Sequence, residues 1–203
     1  KRQGFASGPC LKMAQWMRLP TYLQEQNAAP GMTNRLLAKK VNAAFVAYPN
    51  MQQYFSNTSL EITGNPIRST VDPSITKKEA CEYFGLDATR PTVFMTGGSL
   101  GAQTLNDSMA LALSLFREKE IQVIWQSGSY YYERFKAYHS ESVKVMAYVD
   151  RMDLAYLAAD VIVARAGAST ISELALIAKP SILIPSPNVC LLYTSDAADD
   201  RVS

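Results

Sequence analysis

Apolar residues fall along this chain in short blocks of two kinds. Runs of three to six apolar or β-branched residues at 43–47, 60–63, 92–96, 121–125, 143–148, 161–164 and 181–185 read as strands, and Tyr22 and Leu23 close another. Between them lie stretches with apolar residues three and four apart, which predict helices at 10–17, 33–41, 77–84, 104–116, 130–138 and 152–159, and from Glu173 to Ile177. In the second of these Leu36 and Leu37 are expected to face inward and Arg35, Lys39 and Lys40 outward. The segment from Gly4 to Pro9 reads as a loop. Strands and helices alternate throughout, which argues α/β architecture with parallel, doubly wound sheets. Gly64-Asn-Pro-Ile-Arg68 interrupts both periodicities and marks a domain boundary.

Two strand-to-helix junctions carry candidate chemistry. In Arg165-Ala-Gly-Ala-Ser-Thr-Ile-Ser-Glu173 an apolar run enters a turn at Gly167 and a helix leaves it. Ser169 or Thr170 is placed to cap that helix, whose first N–H groups and positive dipole end suit a phosphate. Glu173, a helical turn further on, suits the two hydroxyls of a ribose, but Thr170 and Glu173 also have the spacing of a simple capping box. The second junction, Gly97-Gly-Ser-Leu-Gly-Ala102, fails the dinucleotide fingerprint: Ser99 stands at the second glycine, and no acidic residue ends the strand that follows. It also lacks the Gly-Lys-Ser/Thr ending of a P-loop. It remains a loop of small residues with a Ser99 hydroxyl to offer a ligand. Gln24-Glu-Gln-Asn27 is a polar cluster at the expected end of a strand, where open α/β sheets place ligand contacts or where a plain surface loop begins.

Composition narrows the classes. Cys10, Cys81, Cys190 and the single His139 have no metal-ligand spacing, so no metal site is expected, and His139 reads as a solvated residue at a helix end. The tyrosines between Tyr130 and Tyr138 read as packing and surface rather than a stacking platform for bases, and no nucleic-acid partner is expected. There is no apolar run of membrane-span length and no signal-peptide core at Lys1-Arg2-Gln3-Gly4, so a cytosolic protein is expected. Residues 1–48 carry Lys1, Arg2, Lys12, Arg18, Arg35, Lys39 and Lys40 against Glu25 alone, which points to an anionic partner. Trp16 with Lys12 and Arg18 fits an interfacial contact with an anionic membrane, or equally a packed tryptophan under a solvated basic face. The segment from Cys190 to Asp199 looks like a translated sequencing adapter, and 200–203 share that expected origin, so 190–203 are expected not to be native.

With the polar cluster, the Gly-Asn-Pro-Ile-Arg segment, the glycine loop and the 165–173 junction in this order, residues 1–189 resemble the MurG-type transferases of glycosyltransferase family 28. The resemblance implies a GT-B fold of two Rossmann-like domains with the active site in the cleft. Residues 1–68 would be the later part of an incomplete acceptor domain facing the membrane, and 69–189 a truncated UDP-GlcNAc-binding domain. It implies inverting transfer of N-acetylglucosamine from UDP-GlcNAc to undecaprenyl-diphospho-muramyl-pentapeptide in peptidoglycan synthesis, with no cofactor and no protein-bound metal. Such a protein would sit peripherally on the cytoplasmic face of the plasma membrane. UDP-GlcNAc would be contacted by Asn27, Arg68, Ser99, the backbone of Val149, and Ala168, Ser169, Thr170, Ile171, Ser172 and Glu173. Gln24 stands where many members have histidine, and Leu100 where a polar residue is usual. The family's proposed catalytic histidine is expected before Lys1 and further sugar contacts beyond Asn188, so the catalytic base is unassigned and the 203-residue chain is expected to be inactive alone. Two other readings are a UDP-sugar-binding partner without chemistry and a GT-B epimerase acting on UDP-GlcNAc. The epimerase reading predicts extra acidic and histidine residues in the cleft, and the sequence offers none.

Overall fold

A computed structural model describes residues 7–67, 72 and 74–185, which divide into two compact units at the 67/68 junction. Expectations for Arg68 and for 190–203 lie outside the described residues.

In the first unit α1 (Ser7–Trp16), β1 (Tyr22–Glu25), α2 (Met32–Ala38), β2 (Ala43–Val46) and β3 (Leu60–Ile62) surround a parallel sheet of order β1-β2-β3. Tyr22 lies beside Ala43, and Ala44 beside Leu60. Leu23, Leu37, Ala44, Val46, Met51 and Phe55 form its core. Three expectations are corrected here. The helix begins at Ser7 rather than Cys10, because Pro9 falls in its first turn, where no N–H is required. β1 runs on through Gln24 and Glu25, so these two residues lie inside the strand. Leu36 is 66% exposed while Leu37 is buried. A seven-residue helix lays one stripe on the sheet, Leu37 and Ala38 fill it, and Leu36 sits about 100° further round.

The second unit opens with α3 (Lys77–Phe84), started by a true capping box between Thr76 and Glu79 and ended by Gly85 at φ 63°. Then follow β4 (Thr92–Thr96), α4 (Gln103–Glu118), β5 (Gln122–Gln126), α5 (Tyr132–Phe135), β6 (Val143–Met146), α6 (Met152–Ala158), β7 (Val161–Arg165), α7 (Ala168–Ile177) and β8 (Ser181–Ile184). All five strands are parallel, in the order β6-β5-β4-β7-β8. Alternate side chains serve two helical layers: Phe94, Ile124 and Ile162 join the cluster with α3, α6 and α7, and Met95, Val123 and Trp125 join the one with α4 and α5. The expected 130–138 helix is shorter, one α turn followed by a 3₁₀ turn at Lys136–Tyr138. As expected, its aromatics pack: Phe135 and Tyr138 lie 5.2 and 5.9 Å from Trp125. His139 is exposed, with Nδ1 3.3 Å from the Val145 carbonyl.

Buried polar groups tie these layers together. Asn106, fully buried on α4, accepts from the Trp125 indole N–H at 2.8 Å and donates to the Ser127 carbonyl at 2.8 Å. Lys179 donates to the Leu157 and Ala159 carbonyls at 2.6 Å each and so satisfies the end of α6. Asp160 accepts from the Thr92 N–H at 2.8 Å and from Lys77 at 2.6 Å.

Two glycines bring the loop after β4 against the turn after β5. Gly101 (φ 81°) and Gly128 (φ 86°) meet backbone to backbone: a Cβ on Gly101 would overlap the Ser127 carbonyl, and one on Gly128 would overlap the Gly101 backbone. The Ser129 N–H donates to the Ser99 carbonyl at 3.2 Å across the same contact. Gly101→Ala or Gly128→Ala should each destabilise the unit by roughly 2–5 kcal/mol, from left-handed strain plus overpacking, and urea unfolding measures this. The double variant should cost clearly less than the sum, because one displacement relieves both; additive losses would show that the two positions do not share a contact.

Candidate functional site

Strand order alone locates the site. β4 is central, with β5 on one side and β7 on the other, so the chain leaves β4 and β7 by loops that diverge at the carboxyl ends of adjacent strands. Open α/β sheets form a crevice at such a switch point. Here it is a cavity of about 570 Å³ lined by Thr96, Gly98 and Ser99 of the first loop, by Gln126, by Tyr148, Asp150, Arg151 and Asp153 before and within α6, by Tyr156, and by Arg165, Ser169, Thr170 and Glu173.

α7 starts one residue before the expected cap. Gly167 is the N-cap, with extended backbone at φ −95° and ψ 148°, and no side chain caps the helix. Ser169 and Thr170 are therefore first-turn residues and not caps. This also removes the capping-box reading of Glu173: Thr170 lies inside the helix, and Glu173 Oε2 instead accepts from the Tyr156 hydroxyl at 2.9 Å. Without a side-chain cap, the first-turn N–H groups of Ser169 and Thr170 are left for solvent or a ligand, at the end of the dipole that favours an anion. Ser172 lies on the same turn as the ligand candidates, but its hydroxyl donates back to the Ala168 carbonyl at 3.0 Å. Ala168 and Ile171 belong to the same helix but are not among the residues that line the cavity.

Across the cavity the glycine loop turns at Gly98 (φ 85°), where a side chain would meet no atom, so the backbone conformation alone demands glycine. Ser99 and Leu100 beside it are exposed. Arg165, which the motif spacing did not single out as a ligand contact, reaches the cavity from the end of β7. Its guanidinium donates to the Pro185 carbonyl at 2.6 Å and to Thr104 Oγ1 at 2.5 Å, and burial lowers its pKa without approaching neutrality. Arg151 and Asp153 form a forked pair at 2.6–3.3 Å and largely satisfy each other.

The backbone of Val149 is half committed. It is 1% exposed, and its N–H already donates to Gln126 Oε1 at 2.9 Å, which leaves the carbonyl as its open backbone group among the described residues. Gln126 also donates to Thr96 Oγ1 at 3.0 Å, and that oxygen accepts the Gly98 N–H at 3.2 Å. One buried amide thus connects the segment after β6 to the glycine loop after β4. Sequence spacing gave no sign of it, because Gln126 ends a strand of apolar residues and looks like any strand terminus.

Asn27 belongs to the first unit. Its backbone and side-chain N–H groups both donate to Glu25 Oε1 at 3.0 Å, while Glu25 Oε2 accepts from Gly31 N–H at 3.1 Å and Asn34 at 2.9 Å. Glu25, 3% exposed, therefore ties the loop after β1 to the start of α2, and a polar hollow of about 230 Å³ is lined by Gln24, Glu25, Gln26, Asn27 and Asn34 among others. The Gln24 Nε2 there is buried without a partner. Trp16 is 79% exposed on α1, next to exposed Met13, Met17 and Leu19, with Lys12 and Arg18 also exposed. Among the described residues Trp16 therefore packs into no core.

Residues 92–192 match the family described as glycosyltransferase family 28 C-terminal domain. Over 190 residues the chain is 46% identical to the UDP-N-acetylglucosamine–N-acetylmuramyl-(pentapeptide) pyrophosphoryl-undecaprenol N-acetylglucosamine transferase of Flavobacterium psychrophilum, covering 92% of this chain and 51% of that protein. It is 47% identical to the protein of the same name from Parabacteroides distasonis, covering 92% and 52%. The chain thus spans about half the length of the curated relatives it matches. The crystal structure of Acinetobacter baumannii MurG superposes with a TM-score of 0.67 at 27% identity, over 97% of this chain and 55% of that one. The kitacinnamycin glycotransferase, at 15% identity and TM-score 0.54 over 91% and 44%, shares the fold.

The Gln126 bridge makes a direct prediction. Gln126→Leu keeps the side-chain volume but strands the Val149 N–H, and should destabilise the unit by roughly 1–3 kcal/mol. Amide exchange at Val149 and Gly98 should accelerate more than exchange in β4 itself. Unchanged protection at Val149 would mean that the bridge does not hold the segment.

Proposed function

Because the chain belongs to glycosyltransferase family 28, with the α/β GT-B fold of its MurG-type members, we propose that its second unit binds UDP-GlcNAc for inverting transfer of N-acetylglucosamine to undecaprenyl-diphospho-muramyl-pentapeptide. One observation carries the assignment of the site: the uncapped start of α7, Ser99, Arg165 and Glu173 face one cavity at the switch point of the sheet. The helix start and Arg165 supply N–H donors and positive charge for a diphosphate, and both interactions strengthen as the departing UDP gathers charge. Glu173, held away from the helix start, accepts from the ribose hydroxyls. The open carbonyl of Val149 suits the N3–H of uracil, while its N–H stays with Gln126. Arg68 and Asn27 are further contacts by the family pattern. The cavity residues act on the donor, and no residue is assigned as the base that takes the acceptor's proton.

The first unit faces the membrane-borne acceptor in this reading. Exposed Met13, Trp16, Met17 and Leu19 with Lys12 and Arg18 combine apolar area with positive charge, a combination suited to an anionic bilayer surface. Among the described residues no helix is long and apolar enough to cross a membrane, and a peripheral contact needs none.

Glu173→Ala should weaken UDP binding, measured by titration calorimetry, by roughly 1.5–3 kcal/mol, the scale of hydrogen bonds to a charged group. Unaltered affinity would remove Glu173 from the site. In vesicle sedimentation the chain should prefer anionic over neutral lipid, and Trp16→Ala combined with Lys12→Glu and Arg18→Glu should abolish the preference; equal binding to both vesicle types would refute the membrane contact.

A further inference from the structure

Glu173 has a partner from a different element. Tyr156, on α6, is 5% exposed, and its ring stands edge-on to Phe94 at 5.6 Å and 71°, inside the core cluster under α7. Its hydroxyl reaches out of that cluster to Glu173 Oε2 at 2.9 Å, and both residues line the cavity. Oε1 has no hydrogen-bond partner among the described residues. The cationic groups that share the cavity wall are bonded elsewhere: Arg151 pairs with Asp153, and Arg165 donates to the Pro185 carbonyl and Thr104.

We propose that Tyr156 is a positioning residue for nucleotide recognition: its buried hydroxyl donates to one oxygen of Glu173, fixes the rotation of the carboxylate, and presents the other oxygen to the vicinal hydroxyls of a ribose. The inference rests on the donor-nucleotide reading above and adds to it the device that aims the carboxylate. A glutamate on a helix surface has three rotatable bonds, and holding them before the ligand arrives removes an ordering cost from binding. A lysine or arginine in the same place would also fix the carboxylate but would neutralise it and occupy the lone pairs a diol needs. A neutral phenol takes one lone pair and leaves the charge. Burial, and then the adjacent Glu173 charge, push the Tyr156 phenol well above its usual range, so it remains a donor at any pH at which the protein works. The ring sits in the core while only the oxygen reaches the site, so the phenol cannot swing away without disturbing the contact with Phe94.

The test uses the 203-residue chain and calorimetric titration with two probes, UDP and 2′,3′-dideoxy-UDP, which lacks the diol. The unaltered chain should bind UDP more tightly than the dideoxy nucleotide. Tyr156→Phe keeps the ring and removes the hydroxyl. It should weaken UDP binding by about 5- to 10-fold, the scale of one hydrogen bond, and leave dideoxy-UDP binding within about twofold. In a Glu173→Ala background the same change should have no further effect on UDP. Glu173→Asp, which draws the carboxylate back from Tyr156 without touching the core, should also lose the preference for UDP. A structural role for Tyr156 would lower both affinities alike, and that result, or unchanged UDP binding, overturns the proposal. So does full preference retained in Glu173→Asp. If the unaltered chain binds both probes equally, the ribose assignment of Glu173 falls and the proposal with it; if it binds neither, the donor-nucleotide reading itself fails.

Discussion

The second unit depends on where its chain reverses across the sheet. β4 pairs with β5 along one edge and with β7 along the other, Thr96 standing beside Gln126 and Ala164. Because the loops leaving β4 and β7 pass to opposite layers, the space between them cannot be filled by either, and a crevice opens at the carboxyl ends. The start of α7, the glycine loop and the end of β5 are brought to that crevice by strand order, with no need of special residues to attract them. What the residues add is the fixing of each loop once it is there.

That fixing is done mostly by uncharged groups. Asn106 ties α4 to β5 and to the turn after it, Gln126 ties the glycine loop to the Val149 segment, and Gly101 and Gly128 let two backbones touch. Buried amides suit this task because each offers donors and an acceptor without the desolvation cost of an ion. The surface ion pairs, such as Lys136 with Glu133 and Lys78 with Glu82, are exposed and add little. The result is a wall held largely by neutral contacts, along which stand the start of α7, Glu173, and an Arg165 guanidinium bonded to Pro185 and Thr104. In the first unit a charged group takes the organising role. The Glu25 carboxylate accepts four N–H bonds from Asn27, Gly31 and Asn34, so an acidic residue that looks like a ligand contact is committed to shaping the loop around Asn27 and the start of α2.

The existence and type of nearly every element were legible in the chain. Apolar runs became β4, β5 and β7 within a residue, and α3 came out at Lys77–Phe84 as read. The two glycine-bearing junctions were recognisable because strand, small-residue turn and helix follow one another within ten residues, and local rules govern that span. The order of motifs also carried the family, which the comparisons bear out.

Tertiary structure decided what local patterns leave degenerate. Whether Leu36 or Leu37 turns inward depends on which stripe of α2 meets the sheet. Whether Thr170 caps α7 or sits inside it depends on where the helix starts. The partner of Glu173 depends on α6 packing under α7, seventeen residues back in the chain. That Gly101 lies against Gly128, from another loop, and that the Val149 N–H belongs to Gln126 has no trace in the local pattern. In each case periodicity and capping fix a residue's local conformation, while its partner comes from an element distant in sequence. Pairing between elements is a property of the packed sheet and its layers, and it is only there that the physical choice is made.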